Sequence, residues 1–161
     1  MPRKKRPRKE LTPAYYNVEI TGWDWDYSFS ANVPRYEDRR FADYRHLHIH
    51  GRLLRPRKLN VETVELIIFP NIEPADMEQR PDEQPPRGVG SLGVEGRKSE
   101  GTRLVGYLSM PADAIGPVLQ MLLAGRFKYV LLDGEHMRWR KALIRHYEFT
   151  AQYNDADYPD D

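Results

Sequence analysis

The stretch YYNVEITGWDWDYSF, residues 15–29, decides the fold class of this chain. Aromatic and β-branched residues alternate there with polar ones, which is the pattern of a half-buried β-strand. The alternation changes phase at Gly22, because Val18 and Ile20 share one parity and the aromatic residues after the glycine share the other. A phase change at a glycine predicts a β-bulge or a tight turn.

The aromatic residues after this glycine include Trp23, Trp25 and Tyr27, at the spacing of one strand face. Large aromatic side chains are mostly buried in globular proteins, so we expect this face to pack in the core. If the face were exposed, its rings would instead form a stacking surface for a ligand.

Patterns further along the chain predict a mainly β fold. Strand-like runs occupy residues 44–54, 62–69, 102–109, 127–132 and 137–150. One helix is predicted at about residues 111–124, where Pro111 suits the first turn and Gly125 suits the end. The pair Asp133-Gly134 predicts the turn of a final hairpin. Many short strands with one short helix indicate an antiparallel β-sandwich or a partly open barrel.

The chain of 161 residues has the length of one domain. We predict a disordered basic arm at residues 1–13, a single β-rich domain at 14–153 and an acidic tail at 154–161. The proline- and glycine-rich segment 70–101 predicts a long mobile loop inside the domain. The absence of cysteine excludes disulfides and thiolate chemistry. No apolar run reaches the length of a membrane span and no secretory signal is evident, so we expect a cytoplasmic protein.

The net charge of +1 conceals two groups of basic residues. The first dominates the N-terminal arm and consists of Arg3, Lys4, Lys5, Arg6, Arg8 and Lys9. Such an arm suits nucleic-acid phosphates without selecting a sequence, and it equally suits an anionic membrane surface. The second group falls on the predicted last strand and consists of Arg138, Trp139, Arg140 and Lys141. Arginines beside an aromatic ring suit single-stranded nucleic acid, although charges also protect an exposed edge strand from aggregation.

A run of alternating histidines suggests a metal site. The candidate ligands are the three histidines of one predicted strand and two carboxylates of another: His46, His48, His50, Asp24 and Asp26. Neighbouring histidines of the run are about 6–7 Å apart along a strand and could share a zinc ion, whereas the outer two are about 13 Å apart. The alternative is a solvent-facing polar strand face opposite a core face that contains Leu47 and Ile49.

No motif of the chain indicates catalysis or a cofactor. The sequence GVGSLG at residues 88–93 has the glycine spacing of a dinucleotide fingerprint, but that fingerprint needs a strand before it and a helix after it. We therefore expect a non-enzymatic binding or assembly module with an unknown protein partner and no cofactor. The alternatives are a nucleic-acid-associated accessory protein and a metal-dependent enzyme built on the histidine strand.

Overall fold

The computed structural model describes residues 12–31, 40–78 and 84–159. Within these ranges the chain forms seven β-strands and one short α-helix, which confirms the prediction of a mainly β fold. The strands are β1 (Ala14–Ala31), β2 (Phe41–Arg55), β3 (Thr63–Ile72), β4 (Gly90–Arg97), β5 (Gly101–Pro111), β6 (Tyr129–Gly134) and β7 (Lys141–Thr150). The helix, α1 (Ile115–Leu123), follows a 3₁₀ turn and lies inside the predicted helical segment.

The described strands form one sheet that closes into a barrel, in the order β1-β2-β3-β5-β4-β7-β6. Strand β1 closes the ring because it pairs with β2 on one side and with β6 on the other. The neighbours are antiparallel except β3 and β5, which run parallel and depart from the predicted antiparallel pattern. A parallel pair needs a long crossover connection, and the segment that contains β4 provides it.

The predicted mobile loop at residues 70–101 is wrong in its boundaries. Its first residues belong to β3 and its last ones to β4 and β5, so the connection between β3 and β4 covers residues 73–89. Strand β4 pairs with β5 on one side and with β7 on the other, and its Leu92 is buried in the core. The glycines of this stretch concealed the strand, since glycine has low strand propensity and pairing on both edges fixes the backbone here.

The phase change in β1 is confirmed as a register shift against β2 between Ile20 and Gly22. Beyond this shift β1 pairs only with β2 among the described strands. We call the last part of this pair, residues 27–31 of β1 and 41–45 of β2, the ribbon. Trp23 and Trp25 are partly buried and pack against the core, whereas Tyr27 is 58% exposed on the ribbon. The expectation of a buried aromatic face therefore holds for the two tryptophans and fails for Tyr27.

The interior of the barrel is filled by inward-facing aliphatic side chains from the alternating strands. Fully buried members include Val18, Ile49, Leu66, Leu104 and Ile144. Leu122 of α1 joins this core where β5 ends and β6 begins, which we call the helix end of the barrel. The opposite end, where β4 leads to β5 and β6 leads to β7, is called the turn end. In the described part of the chain, no helix has the length and apolar character needed to cross a membrane.

The predicted acidic tail is packed on the outside of the barrel in its described part. The ring of Tyr153 lies 5.5 Å from that of Tyr129 at the start of β6, between ring centres. Arg55, at the end of β2 and 6% exposed, donates a hydrogen bond to Asp155 Oδ1 at 2.8 Å. The hydrogen bonds from Arg55 and then Tyr153 lower the pKa of Asp155 to about 2. This segment therefore runs from the helix end to the turn end and is held there by a paired carboxylate.

Candidate functional site

The hairpin between β6 and β7 ends in a turn with Trp139 and Arg140 at its two central positions. The flanking residues Arg138 and Lys141 exchange two backbone hydrogen bonds, of 2.8 and 2.9 Å between N and O. Trp139 and Arg140 have φ angles of 51° and 63°. Positive φ at both central positions is typical of a type I′ turn, where asparagine and glycine are preferred. For other residues this left-handed conformation costs about 1–2 kcal/mol each.

Trp139 is also almost fully exposed to solvent, at 97%. Tryptophan is normally buried over most of its surface in the interior or at an interface. A bulky residue that is both solvated and held in a disfavoured backbone conformation indicates a functional constraint. We call residues 138–141 the tryptophan turn.

The tryptophan turn lies further along the chain than the predicted turn at Asp133-Gly134. Gly134 is instead the last residue of β6 and pairs with Ile144 inside the ladder. The basic group predicted on the last strand is therefore a turn that precedes β7, with only Lys141 belonging to the strand. It does not protect a sheet edge, because β7 pairs with β6 on one side and β4 on the other.

A cleft of about 780 Å³ opens beside the tryptophan turn, at the turn end of the barrel. Its volume lies inside the range of about 300–1,000 Å³ that is usual for ligand pockets. Its charged lining residues in the described part of the chain are Lys58, Glu62, Arg97, Lys98 and Arg140. We call it the basic cleft, because four of these five side chains are cationic.

Two turns place the cationic side chains around the basic cleft. Gly96 and Gly101 flank the turn that carries Arg97 and Lys98, and their φ angles of 86° and 87° are open to glycine but not to most residues. Arg140 Nη2 donates a hydrogen bond of 2.7 Å to the carbonyl oxygen of Gly96. This contact joins the tryptophan turn to the neighbouring turn, so both form one wall of the cleft.

Most cations of this region pair with no carboxylate of the described residues. Within residues 12–31, 40–78 and 84–159, no ion pair involves Lys58, Arg97 or Lys98. The same holds there for Arg138 and Lys141. A concave surface lined by one sign of charge concentrates the field and attracts ligands of the opposite sign.

The basic arm predicted to bind phosphate, Arg3, Lys4, Lys5, Arg6, Arg8 and Lys9, lies outside the described residues. Thr12 is the first described residue, and its carbonyl oxygen accepts a hydrogen bond of 3.0 Å from His136 Nε2. Thr12 lines a second cleft, of about 510 Å³, which shares Lys58 and Leu59 with the basic cleft. Thr12 therefore lies at the turn end of the barrel.

The candidate metal ligands lie on the outer surface of β1 and β2, and none of them lines the basic cleft. Leu47 and Ile49 are fully buried on the opposite face, as the polar-face alternative predicts. We call the outer surface the histidine face; its members are His46, His48, His50, Asp24 and Asp26.

Each imidazole of the histidine face has a different neighbour. His50 Nε2 is 3.0 Å from Asp24 Oδ2, and His48 Nε2 is 3.4 Å from Asp26 Oδ2. Nδ1 of His48 is 3.3 Å from Glu65 Oε1. The ring of His46 packs edge-on against the ring of Phe69, with 4.8 Å between the ring centres. In the described part of the chain, no group of three or more histidines or carboxylates could hold a metal ion. The arrangement is one of imidazole–carboxylate contacts spread along the strand.

Three residues of the basic cleft, Lys58, Arg97 and Lys98, were missed by the sequence reasoning. They sit in the short basic pairs at residues 57–58 and 97–98, which are far apart in the chain and resemble ordinary surface charges. The pairing of β5 with both β3 and β4 brings them to the same end of the sheet. The glycine motif at residues 88–93 leads into β4 and then β5 without a helix between them, so the dinucleotide-binding context is missing there.

No protein-family model, curated protein or solved structure shows a significant match to the chain. The basis for a function is therefore the chemistry of the tryptophan turn and the basic cleft.

Proposed function

We propose that this protein is a non-enzymatic binding module whose ligand is nucleic acid, held at the turn end of the barrel. The observation behind the proposal is the convergence of Lys58, Arg97, Lys98 and Arg140 on one cleft beside an exposed tryptophan. The proposed function combines two expectations from the sequence, a binding module and a nucleic-acid-associated protein, and names the turn end as the binding surface.

The chemistry of the basic cleft favours a phosphate-bearing ligand. Lysine and arginine side chains donate charge-assisted hydrogen bonds, and arginine can hold a phosphate in a bidentate manner. These groups bind and orient anions, and the cleft has a single carboxylate, Glu62, among its described lining residues. The same surface would attract an acidic protein, so the ligand class has to be tested directly.

The test compares two double variants that remove the same positive charge. Lys58→Gln with Lys98→Gln changes the basic cleft, whereas Arg126→Gln with Lys128→Gln changes exposed cations at the helix end. We expect the parent to lose about 50- to 150-fold in affinity for a labelled oligonucleotide between about 50 and about 200 mM salt, if four phosphates are contacted. The cleft variant should bind more weakly and flatten this salt slope by about one to two units, measured by fluorescence anisotropy.

The control variant should bind like the parent. Equal weakening by both variants would show that net charge alone controls binding. No retardation of any oligonucleotide at low salt, together with binding of polyglutamate, would move the proposal to an acidic protein ligand.

A further inference from the structure

We infer that the nucleic acid bound at the turn end is single-stranded, with an unpaired base stacked on the indole of Trp139 and neighbouring phosphates in the basic cleft. The inference rests on the proposed function and specifies its ligand.

The tryptophan turn is built to present an aromatic face. The two backbone hydrogen bonds between Arg138 and Lys141 fix the turn, and the side chain of Trp139 is 97% exposed at its tip. In a duplex the faces of the bases are covered by their neighbours, whereas an unpaired base offers a free face to an aromatic side chain. The exposed indole can therefore stack on a base of a single strand but not on a base inside a duplex.

The turn and the cleft are close enough for one strand to engage both. Arg140 lines the basic cleft and directly follows Trp139 in the chain, so their Cα atoms are about 3.8 Å apart. The hydrogen bond from Arg140 to the carbonyl of Gly96 holds this relation in place. Stacking and phosphate contacts are the combination by which proteins bind single strands without base-edge readout.

An anionic membrane surface is the main competitor, because tryptophan and basic residues also favour lipid interfaces. The cations of this site, however, line a recess between two turns. A flexible strand can enter a recess, whereas a flat bilayer contacts only its rim. The shape therefore favours the strand.

The experiment measures dissociation constants for a single-stranded oligonucleotide and for the duplex of the same sequence. The variants are Trp139→Ala, Trp139→Phe and, as a matched control, Phe29→Ala on the ribbon, where Phe29 is 62% exposed. We expect Trp139→Ala to weaken single-strand binding by about 5- to 150-fold, the range for loss of one stacked base. Trp139→Phe should recover part of this loss, and the control should match the parent. Duplex affinity should be weaker and insensitive to all three changes.

Intrinsic fluorescence gives an independent readout. Stacking should quench the emission of Trp139, and this quenching should be missing in Trp139→Phe, which retains Trp23 and Trp25. Trp139→Asn, which tolerates positive φ, is the second variant should the alanine substitution disturb the turn.

The outcomes separate the inference from the proposed function. Equal affinity for single strand and duplex, unaffected by Trp139→Ala, would overturn the inference and leave nucleic-acid binding standing. Binding of neither form would overturn both. Binding to phosphatidylserine vesicles but not to oligonucleotides, lost in Trp139→Ala, would replace the strand by a membrane.

Discussion

The histidine face and the tryptophan turn both contain the residue types that suggest function, yet their charges are arranged differently. On the histidine face, His50 lies 3.0 Å from Asp24, and His48 lies within 3.4 Å of two carboxylates. In the tryptophan turn, neither Arg138 nor Lys141 forms an ion pair with any described residue. The backbone differs as well, since the histidines sit on a regular strand and the turn has positive φ at two bulky residues.

This difference is the reason for proposing that a ligand binds at the tryptophan turn and not on the histidine face. The polar side chains of the histidine face are satisfied by contacts within the protein, and even a fully charged surface pair contributes only about 0–1 kcal/mol. In the tryptophan turn, by contrast, Arg138 and Lys141 pair with no described carboxylate, and Trp139 is exposed in a disfavoured conformation. The comparison therefore supports the proposal that ligand binds at the tryptophan turn.

The largest expected effect comes from replacing the turn by the preferred type I′ sequence, with Trp139→Asn and Arg140→Gly together. Both new residues accept positive φ, which relieves about 1–2 kcal/mol each. Loss of the Arg140 hydrogen bond to Gly96 offsets about 1 kcal/mol of this gain, so the free energy of unfolding should rise by about 1–3 kcal/mol in urea titrations. Affinity for single-stranded nucleic acid should fall, because the indole and one cation of the basic cleft are lost. Opposite changes in stability and affinity are the signature of a conformation retained for function.

A fall in stability after this swap would mean that Trp139 or Arg140 supports the fold. That result would contradict the proposal that the conformation of the tryptophan turn is retained for binding. The single variant Trp139→Asn separates the two contributions, since it keeps the Arg140 hydrogen bond to Gly96.

A smaller effect is expected on the histidine face. The variant His48→Gln should change the free energy of unfolding by less than about 1 kcal/mol, because the side chain of His48 contacts only the partly exposed carboxylates of Asp26 and Glu65. It should leave the affinity for nucleic acid unchanged. Stoichiometric zinc should produce no shift in melting temperature in either the parent or the variant. A zinc-induced rise that His48→Gln abolishes would instead establish a metal site on this face.

Local sequence patterns predicted the fold well wherever a residue's environment is set by its near neighbours. The alternation in residues 15–29 and its change of phase at Gly22 correspond to one strand with a register shift. The helix and most strands also fall in their predicted segments. In each case the period of apolar residues reflects which side of the barrel wall they occupy.

Features that depend on long-range pairing were not predictable in this way. Strands β3 and β5 pair in parallel because β4, which lies between them in the sequence, runs back in the opposite direction. The glycines of β4 give no strand signal. The basic cleft is likewise a product of strand pairing, since Lys58 and Lys98 line one cleft only after β3, β5 and β4 pair. Trp139 was recognised as a candidate for stacking, but its place in a turn was not predicted, because the Asp133-Gly134 pair gave the stronger turn signal.

The central claim is that ligand binding takes place at the turn end and not on the histidine face. Backbone amide chemical shifts of the isotope-labelled protein, followed while a single-stranded oligonucleotide is added, test it most directly. The account predicts that the shifted resonances cluster at residues 58–62, 94–102 and 138–141, with residues 24–26 and 46–50 unmoved. Shifts that cluster on the histidine face or on the ribbon, with the tryptophan turn unmoved, would contradict it.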